Sequence, residues 1–456
     1  MRIRLFAPLL VAAALLPAGA NAQTAVPLPK DKGENIEGIA RVPFPGANEV
    51  EMAGDWAFVS VDKGPKGEGD GGLVIVNIAD PTHPYVQGSW YGVINSKLSD
   101  VRPGDVDLKT DGNLAVLTNA HCGACTYAEF LIDTTDKSHP KLVGKIKYDS
   151  TMDYVHTATL DKNHLLFLNP QVAAFYPQPT NSHITIFDIS DPANPVKKGT
   201  IEPPGAQVGL AHDEYIDHRP DGKTLMYSAS IHKTDVIDIT DPFTSTWLQT
   251  TTWPSYTISH DVQPNYDRSI LIVDDEGAAG GQLDPRVSAC GRVGAGPATA
   301  DSGSVHFFAA AADGTFLANG AGHLGSFNAP ANVNTGECVA HVFWQAPNED
   351  RLTQAYYRTG AFIVDFTPIS TPADGTVPGP IEPTMLGWFL PVGGAEYWSN
   401  KPHNGYMYAS DMLHGLDVLK YTGEGGKRWP ATAGPAEIQR SARQGVPYVP
   451  IPTSGS

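Results

Sequence analysis

Short runs of β-branched and apolar residues, each ending in a polar turn, recur along almost the whole chain. One such run is found five times, as LVIVNIADPTHP (73–84), FLIDTTDKSHP (130–140), ITIFDISDPANP (184–195), DVIDITDP (235–242) and FIVDFTPISTP (362–372). Short apolar runs between turns are typical of β-strands, and a recurring unit indicates a repeat architecture. The pattern therefore predicts an all-β repeat protein.

Further strands flank the recurring run. Upstream strands occur in seven copies between residues 55 and 412, and turn residues such as AGD, DGN and HNG precede them. A short segment before each turn supplies an innermost strand, and another strand follows the recurring run. The unit is therefore four antiparallel strands, A to D, which is the composition of a propeller blade. Seven units predict a seven-bladed β-propeller.

The two ends of the chain complement each other. The seventh unit ends at 415–423 (GLDVLKYTG) without a D strand, whereas 35–46 (NIEGIARVPFPG) has the D-strand pattern and no unit of its own. Pairing them would remove two exposed sheet edges. We therefore expect the N-terminal strand to close the last blade. The predicted organisation is a signal peptide (1–22), the propeller (23–423) and a C-terminal tail (424–456).

The first 22 residues resemble an export signal. Arg2 and Arg4 precede a short apolar stretch that ends in the small-x-small triplet ANA at 20–22. The stretch is too short and too interrupted by proline for a transmembrane helix. We expect a periplasmic or secreted protein with no membrane span.

The net charge of the chain limits the classes of molecule that it can bind. The chain has a net charge of −18, and removal of the signal peptide takes away two arginines. Such acidity argues against nucleic acid or anionic lipid as a partner, and nothing indicates an oligomeric state.

Cys122 and Cys125 form a C-x-x-C motif, and Cys290 and Cys338 complete the set of four. An exported location favours disulfides, with a metal role for the C-x-x-C motif as the alternative.

The segments LVIVNIADP and ITIFDISDP resemble the repeats of the LVIVD-repeat proteins, a group of bacterial β-propellers. The resemblance extends over nearly the whole mature chain. It departs in blade five, where SVHFFAAAADG lacks the Asp-Pro turn and 276–304 is an insertion. The resemblance implies the propeller fold and leaves the activity open.

Alignment of the A strands brings chemically active residues to one position in each blade. These residues are Glu49, Asp105, His156, His212, His260, His341 and Glu396. Strand A lies nearest the propeller axis, so four imidazoles would converge there, and imidazole suits transition metals. We predict a divalent ion (Fe, Cu, Zn or Mn) on the four histidines, with the three carboxylates as their hydrogen-bonding partners. The alternative is that the histidines only form hydrogen bonds between neighbouring strands or blades.

The B–C loops should lie on the same face and line a pocket above this ring. They carry His121, Cys122, Cys125, His232, Glu276, Arg358 and His414. His232 or His414 could act as a general acid or base, and Arg358 could hold a carboxylate through its planar fork. Ordinary surface roles are the alternative for each of them.

Three functions are compatible with these patterns. The preferred one is a metal-dependent enzyme of the oxidoreductase or oxygenase type acting on a small organic substrate. The four-histidine ring resembles the iron site of carotenoid-cleaving dioxygenases, which are also seven-bladed propellers, in architecture alone. The second is a polysaccharide lyase acting on a glycan, with His232 or His414 as base. The third is a binding or scaffold propeller without catalysis, for which loss of the histidines would affect only stability.

Overall fold

The computed structural model confirms the all-β, seven-bladed propeller. It describes residues 23–62, 64, 71–92, 94–95, 98–99, 107–119, 126–149, 152, 155–170, 183–202, 211–231, 233–254, 256, 258–276, 303–317, 322–330, 339–346, 349–370 and 378–423. The predicted signal peptide and C-terminal tail lie outside these residues. No helix in the described ranges is long and apolar enough to cross a membrane.

The strands follow the predicted blade order. Two N-terminal strands are β1 (Lys30–Glu34) and β2 (Ile36–Pro43). Blade one comprises β3 (Ala47–Ala53), β4 (Trp56–Val61), β5 (Gly72–Asn77) and β6 (Tyr85–Tyr91). A small hairpin of β7 (Ile94–Asn95) and β8 (Leu98–Ser99) follows. Blade two comprises β9 (Leu108–Thr110), β10 (Leu114–Thr118), β11 (Tyr127–Asp133) and β12 (Lys141–Lys147). Blade three comprises β13 (Val155–Leu160), β14 (Leu165–Pro170), β15 (Ile184–Asp188) and β16 (Val196–Ile201).

The remaining blades have the same design. Blade four comprises β17 (Asp213–His218), β18 (Thr224–Ala229), β19 (Thr234–Asp238) and β20 (Thr246–Thr251). Blade five comprises β21 (Ser259–Pro264), β22 (Ile270–Asp275), β23 (Val305–Ala309) and β24 (His323–Phe327). Blade six comprises β25 (His341–Gln345), β26 (Arg351–Tyr356), β27 (Gly360–Asp365) and β28 (Thr384–Pro391). Blade seven has β29 (Tyr397–His403), β30 (Tyr406–Asp411) and β31 (Gly415–Tyr421).

The A strands form the inner wall of the propeller. Each A strand packs against the A strand of the next blade, and β29 packs against β3, which closes the circle. Strands within a blade are antiparallel neighbours. The starts of the A strands, the ends of the B strands and the starts of the C strands therefore share one face, here called the ring face.

The closure by the N-terminal strand is also confirmed. Strand β2 pairs antiparallel with β31, so that Ile36 lies opposite Tyr421 and Pro43 lies opposite Gly415. Ile36 and Val42 are fully buried. The alternating apolar residues of β2 supply the missing fourth strand of blade seven, which satisfies the backbone groups along the edge of β31.

The N-terminal segment pairs with more blades than the sequence predicts. Strand β1 adds a fifth strand to blade six by pairing with β28. Val26 bridges to Arg41 of β2, and Thr24 bridges to Tyr85 of blade one. Residues 23–43, here called the closing segment, thus join blades six, seven and one.

Neighbouring blades meet where a D strand contacts the Asp-Pro turn of the next blade. A Cβ added at Gly144 of β12 would overlap the carbonyl oxygen of Pro192, whereas at Gly199 of β16 its nearest atom would be Phe243 Cδ1 at 3.6 Å. We expect Gly144→Ala to lower the free energy of unfolding by about 1–3 kcal/mol, because overpacking against backbone forces the blades apart. Gly199→Ala should change it by less than about 1 kcal/mol.

Urea unfolding of the two variants beside the wild type measures this difference. Equal effects of the two substitutions would contradict the close approach at Gly144, because both replace a D-strand glycine by the same residue.

Candidate metal centre

Four histidines lie together at the ring face, one at the start of each of four consecutive inner strands, with His212 directly before β17. The ring centroids are 4.2 Å apart for His156 and His212, 4.4 Å for His212 and His260, and 4.2 Å for His260 and His341. All four side chains are buried. The four imidazoles form a continuous arc from blade three to blade six.

Irregularities of the inner strands help to aim these side chains. The pairing of β13 with β14 shifts across His156, and the pairing of β21 with β22 shifts across His260. Each histidine is therefore the extra residue of a β-bulge, a device that redirects a side chain and is frequent beside active sites.

One histidine of the arc is held in a defined tautomer. Nδ1 of His341 lies 2.6 Å from the carbonyl oxygen of Trp398, so this nitrogen carries the proton and donates it. A neutral ring then has its lone pair on Nε2, the nitrogen that can bind a metal. The rings of Trp398 and Tyr357 pack against His341 with centroids at 4.3 and 4.8 Å.

Carboxylates approach the middle of the arc. Oε2 of Glu276 lies 4.0 Å from Nε2 of His212, and the hydroxyl of Tyr357 donates to Oε1 of Glu276 at 2.8 Å. Oδ1 of Asp274 lies 3.6 Å from Nδ1 of His260. Burial lowers the pKa of His260, but the charges of Asp274, Glu276 and Asp213 outweigh it and raise the pKa to about 9. The surroundings therefore favour positive charge.

The donor set suits a metal ion. Among the described residues, His212, His260 and Glu276 offer ligand atoms that all lie within 4.8 Å of one another. Ligand atoms around a tetrahedral ion with bonds of roughly 2.0–2.1 Å are about 3.3 Å apart. Small side-chain movements would bring these three groups to such distances, while His156 and His341 lie beside them through ring contacts with His212 and His260.

Backbone strain accumulates beside the arc. Ile231, Val342 and Tyr357 adopt positive φ angles of 60°, 21° and 35° and are buried. Such conformations cost of the order of 1–3 kcal/mol each and persist where the surrounding structure imposes them, often at functional sites. Val342 follows a ring histidine, and Tyr357 holds Glu276.

The predicted carboxylate partners of the histidines have cationic partners here. Glu49 forms an ion pair with Lys401, and Glu396 forms one with Arg358 at 3.2 Å. Asp105 lies outside the described residues. The role of these three carboxylates toward the histidines stays a prediction, whereas Asp274 and Glu276 lie near imidazole nitrogens in the structure.

Some of the B–C loop residues that were predicted to line a pocket above the ring lie within the described part of the chain. His414 precedes β31 on the ring face, with Nδ1 at 2.7 Å from Oδ2 of Asp411. Arg358 follows β26 on the same face, with its side chain 47 % exposed. Glu276, another predicted member, lies beside His212, as described above. The remaining residues of these loops, and the cysteines with their predicted disulfides, lie outside the described residues: His121, Cys122, Cys125, His232, Cys290 and Cys338.

A further pair of histidines lies in blade five, apart from the arc. Nδ1 of His306 is 3.4 Å from Nε2 of His323, whose ring stacks on Trp253. Burial and the proximity of His323 lower the pKa of His306 to about 3. His306 is therefore neutral at pH 7, and the pair forms part of the blade packing.

Comparison with known sequences agrees with the repeat pattern. The family model of the LVIVD repeat matches residues 46–91 and 180–202. The first match spans β3 to β6, which is the whole of blade one, and the second spans β15 and β16. No curated protein matches the chain in sequence.

Solved structures share the fold at low sequence identity. The β-propeller domain of Cps50 (Swd1) from Myceliophteria thermophila is 11% identical, covers 84% of this chain and 99% of its own, and has a TM-score of 0.52. A protein from Lactobacillus plantarum is 12% identical over 81% of this chain and 99% of its own, with a TM-score of 0.49. The periplasmic gluconolactonase PpgL of Pseudomonas aeruginosa is 12% identical over 80% and 96%, with a TM-score of 0.48. The likeness to the Cps50 domain, at 11% identity, shows the fold alone.

Proposed function

Because this chain is an LVIVD-repeat β-propeller, its activity depends on the side chains carried by the blade ends, and we propose that it is a metal-dependent oxidoreductase. The proposed ligands are His156, His212, His260 and His341, with Glu276 beside them. The substrate is a small organic molecule that enters from the ring face. The predicted signal peptide places this chemistry outside the cytoplasm.

The observation that carries the proposal is the continuous arc of four buried imidazoles with a carboxylate at its middle. A propeller needs no such arrangement for closure, because backbone pairing and apolar packing already join its blades. Burial of four imidazoles beside Glu276 and Asp274 costs solvation free energy unless a cation or hydrogen bonds compensate it. A divalent ion bound beside His260 and Glu276 would contribute such compensation.

The donor chemistry favours a redox-active ion. Imidazole binds Fe, Cu, Zn and Ni well, and among these a bound Fe or Cu ion would make oxidation chemistry available at this donor set. The ion would supply Lewis acidity or electron transfer at this position.

The surrounding residues have separate roles. The carbonyl of Trp398 holds the His341 ring so that Nε2 keeps its lone pair, and the Tyr357 hydroxyl orients Glu276. The rings of Trp398 and Tyr357 pack against the His341 ring. His414, held by Asp411, is the base available on the ring face.

Elemental analysis of the untagged mature protein tests the metal site. We expect about one equivalent of Fe, Cu, Zn or Mn in the wild type and less than a tenth of that in a folded His212→Ala/His260→Ala variant. The matched control is His83→Ala/His139→Ala, which also removes two histidines but from exposed turns. Absence of metal from the wild type, even after reconstitution with each ion, would overturn the proposal.

Two further measurements separate the parts of the proposal. Glu276→Gln should weaken metal affinity by roughly 10- to 100-fold, the usual effect of losing a group that supports the ligands.

Oxygen uptake by the metal-loaded protein with a panel of small oxidisable compounds tests catalysis. A metal-loaded protein that turns over none of them would support the binding or scaffold alternative.

A further inference from the structure

In three Asp-x-x-His turns of the described residues the imidazole Nδ1 pairs with the aspartate carboxylate, and one of these pairs differs from the other two. Nδ1 of the histidine lies 2.9, 3.1 and 2.7 Å from the aspartate in the pairs Asp80–His83, Asp136–His139 and Asp411–His414, in that order. The first two pairs are exposed to solvent. In the third, the Asp411 side chain is fully buried while His414 is 34 % exposed.

The buried aspartate of the third pair is fixed by four donors. Oδ1 of Asp411 accepts hydrogen bonds from the backbone N–H groups of Glu396 and Leu413, both at 3.0 Å. Oδ2 accepts from Nη2 of Arg41 at 3.0 Å and from Nδ1 of His414 at 2.7 Å. Its position is therefore determined by two backbone segments, one cation and the imidazole.

The cation comes from the other end of the chain. Arg41 lies on β2, and its Nε and Nη2 donate to the two oxygens of Asp417 at 2.6 and 2.7 Å. The backbone N–H and carbonyl of Arg41 both bond to Val26 at 2.8 Å. The guanidinium thus bridges two buried carboxylates of blade seven from a strand held on both edges.

We propose that Arg41 is the positioning residue of the ring-face base, because it holds Asp411 and Asp411 holds His414. The inference rests on the proposed function in taking His414 as a base. A buried carboxylate that accepts from Nδ1 keeps the lone pair on Nε2, which is the arrangement of histidine bases in hydrolytic triads. Attachment of the closing segment therefore determines the state of a residue on the ring face.

Arg41 also affects the charge that His414 experiences. Its guanidinium and the imidazole share Oδ2 of Asp411, so Arg41 opposes a second positive charge on His414. Asp417 lies on the far side of Arg41, and the Glu396–Arg358 pair lies beside Asp411. Removal of Arg41 should favour the protonated imidazole, and removal of Asp411 should disfavour it.

Acylation by diethyl pyrocarbonate tests this coupling, because the reagent attacks neutral imidazole and mass spectrometry resolves each histidine. In Arg41→Gln we expect the pH of half-maximal rate at His414 to rise by about one unit, which is about a tenfold slower rate at acidic pH. Asp411→Asn should move it downward. The rates at His83 and His139 should not change in either variant, and Arg41→Lys should restore most of the wild-type profile.

A folded Arg41→Gln variant with the wild-type profile at His414 would show that Arg41 only stabilises the fold. If this variant does not fold, Asp417→Asn offers a second test, because it turns the guanidinium wholly toward Asp411 and should shift the profile downward. An unchanged profile there would also overturn the proposal. Metal content of these variants should equal that of the wild type, so failure of the metal proposal is recognised separately.

Discussion

A chain that lacks residues 23–43 is expected not to reach the native state at room temperature. The deletion removes β1 and β2 and exposes the edges of β28 and β31 to solvent. It also removes the buried side chains of Ile36 and Val42, each of which contributes roughly 1.5–3 kcal/mol by burial.

The charges lost with the closing segment add to this effect. Without Arg41, Asp411 and Asp417 would be buried without their cation. Removing one partner of a buried ion pair costs about 3–5 kcal/mol. The combined loss is comparable to the whole stability of a typical domain, about 5–15 kcal/mol.

Circular dichroism and size-exclusion chromatography of the truncated chain measure the outcome. A synthetic peptide of residues 23–46 added in trans should restore the folded, monodisperse state, because it supplies the missing strand. The same peptide with Arg41→Gln is the matched control and should restore it poorly. A truncated chain that unfolds with the wild-type transition would refute the role of the closing segment.

Lys401→Met should be the most damaging single substitution on the inner wall. Nζ of Lys401 contacts Oε1 of Glu49 and lies 2.9 Å from Oε1 of Glu51, and all three side chains are buried at the junction of blades seven and one. Methionine preserves the length of the side chain but removes the ion-pair partner that the two carboxylates share. We expect a loss of about 3–5 kcal/mol in the free energy of unfolding.

The loss should depend on pH in a defined direction. Burial raises the pKa of Glu51, and the charge of Lys401 opposes this rise. Without the lysine, folded Glu51 holds its proton at pH values where the unfolded chain is ionised. Folding then takes up a proton, so the variant should gain stability relative to the wild type as the pH falls from 7 to 5.

Urea unfolding at pH 5 and pH 7 measures both effects. Lys197→Met is the control, because its ion pair with Asp149 is partly exposed and should be worth about 1 kcal/mol or less. Adding Glu49→Gln and Glu51→Gln to the Lys401→Met background should recover most of the stability. Equal costs for the two lysine substitutions would contradict the buried ion-pair interpretation.

The repeat pattern was sufficient to predict the blades and the closure of the last one. The C-strand runs coincide with β5, β11, β15, β19 and β27, because each run combines strand-forming residues with a turn that ends it. The closing strand was recognisable because IEGIARVP has apolar residues at the positions that become buried. Strand β1 was not, since its sequence KDKGE is polar and its residues are largely exposed. It pairs through backbone groups alone.

The candidate site was predictable only in part. Alignment of the blades brought His156, His212, His260 and His341 to one position, and the structure places them together. Of their carboxylate neighbours, Glu276 was among the loop residues predicted for the same face, whereas Asp274 lies on β22 and had no signal in the blade alignment. The contact of His341 with Trp398 involves a backbone carbonyl, which no side-chain pattern specifies.

Long-range ion pairs explain the remaining difference between the predicted and the observed surroundings of the ring residues. Glu49 and Glu396 occupy ring positions in the alignment, but cations from other strands reach them. Lys401 and Glu51 are 350 positions apart in sequence, so their proximity follows from closure of the propeller rather than from a local motif. The sequence pattern within a single blade does not reveal such pairs.

The closing segment also makes completion of the fold depend on the length of the chain. Arg41 and Asp417 are 376 positions apart, so the strand that is synthesised first forms its pairs with one of the last. Contacts of such separation form late, after the loop between them has been ordered. A chain that stops before residue 415 has no partner for β2, and it exposes unpaired edges that favour aggregation and degradation. The closing segment thereby makes completion of blade seven depend on the synthesis of β31.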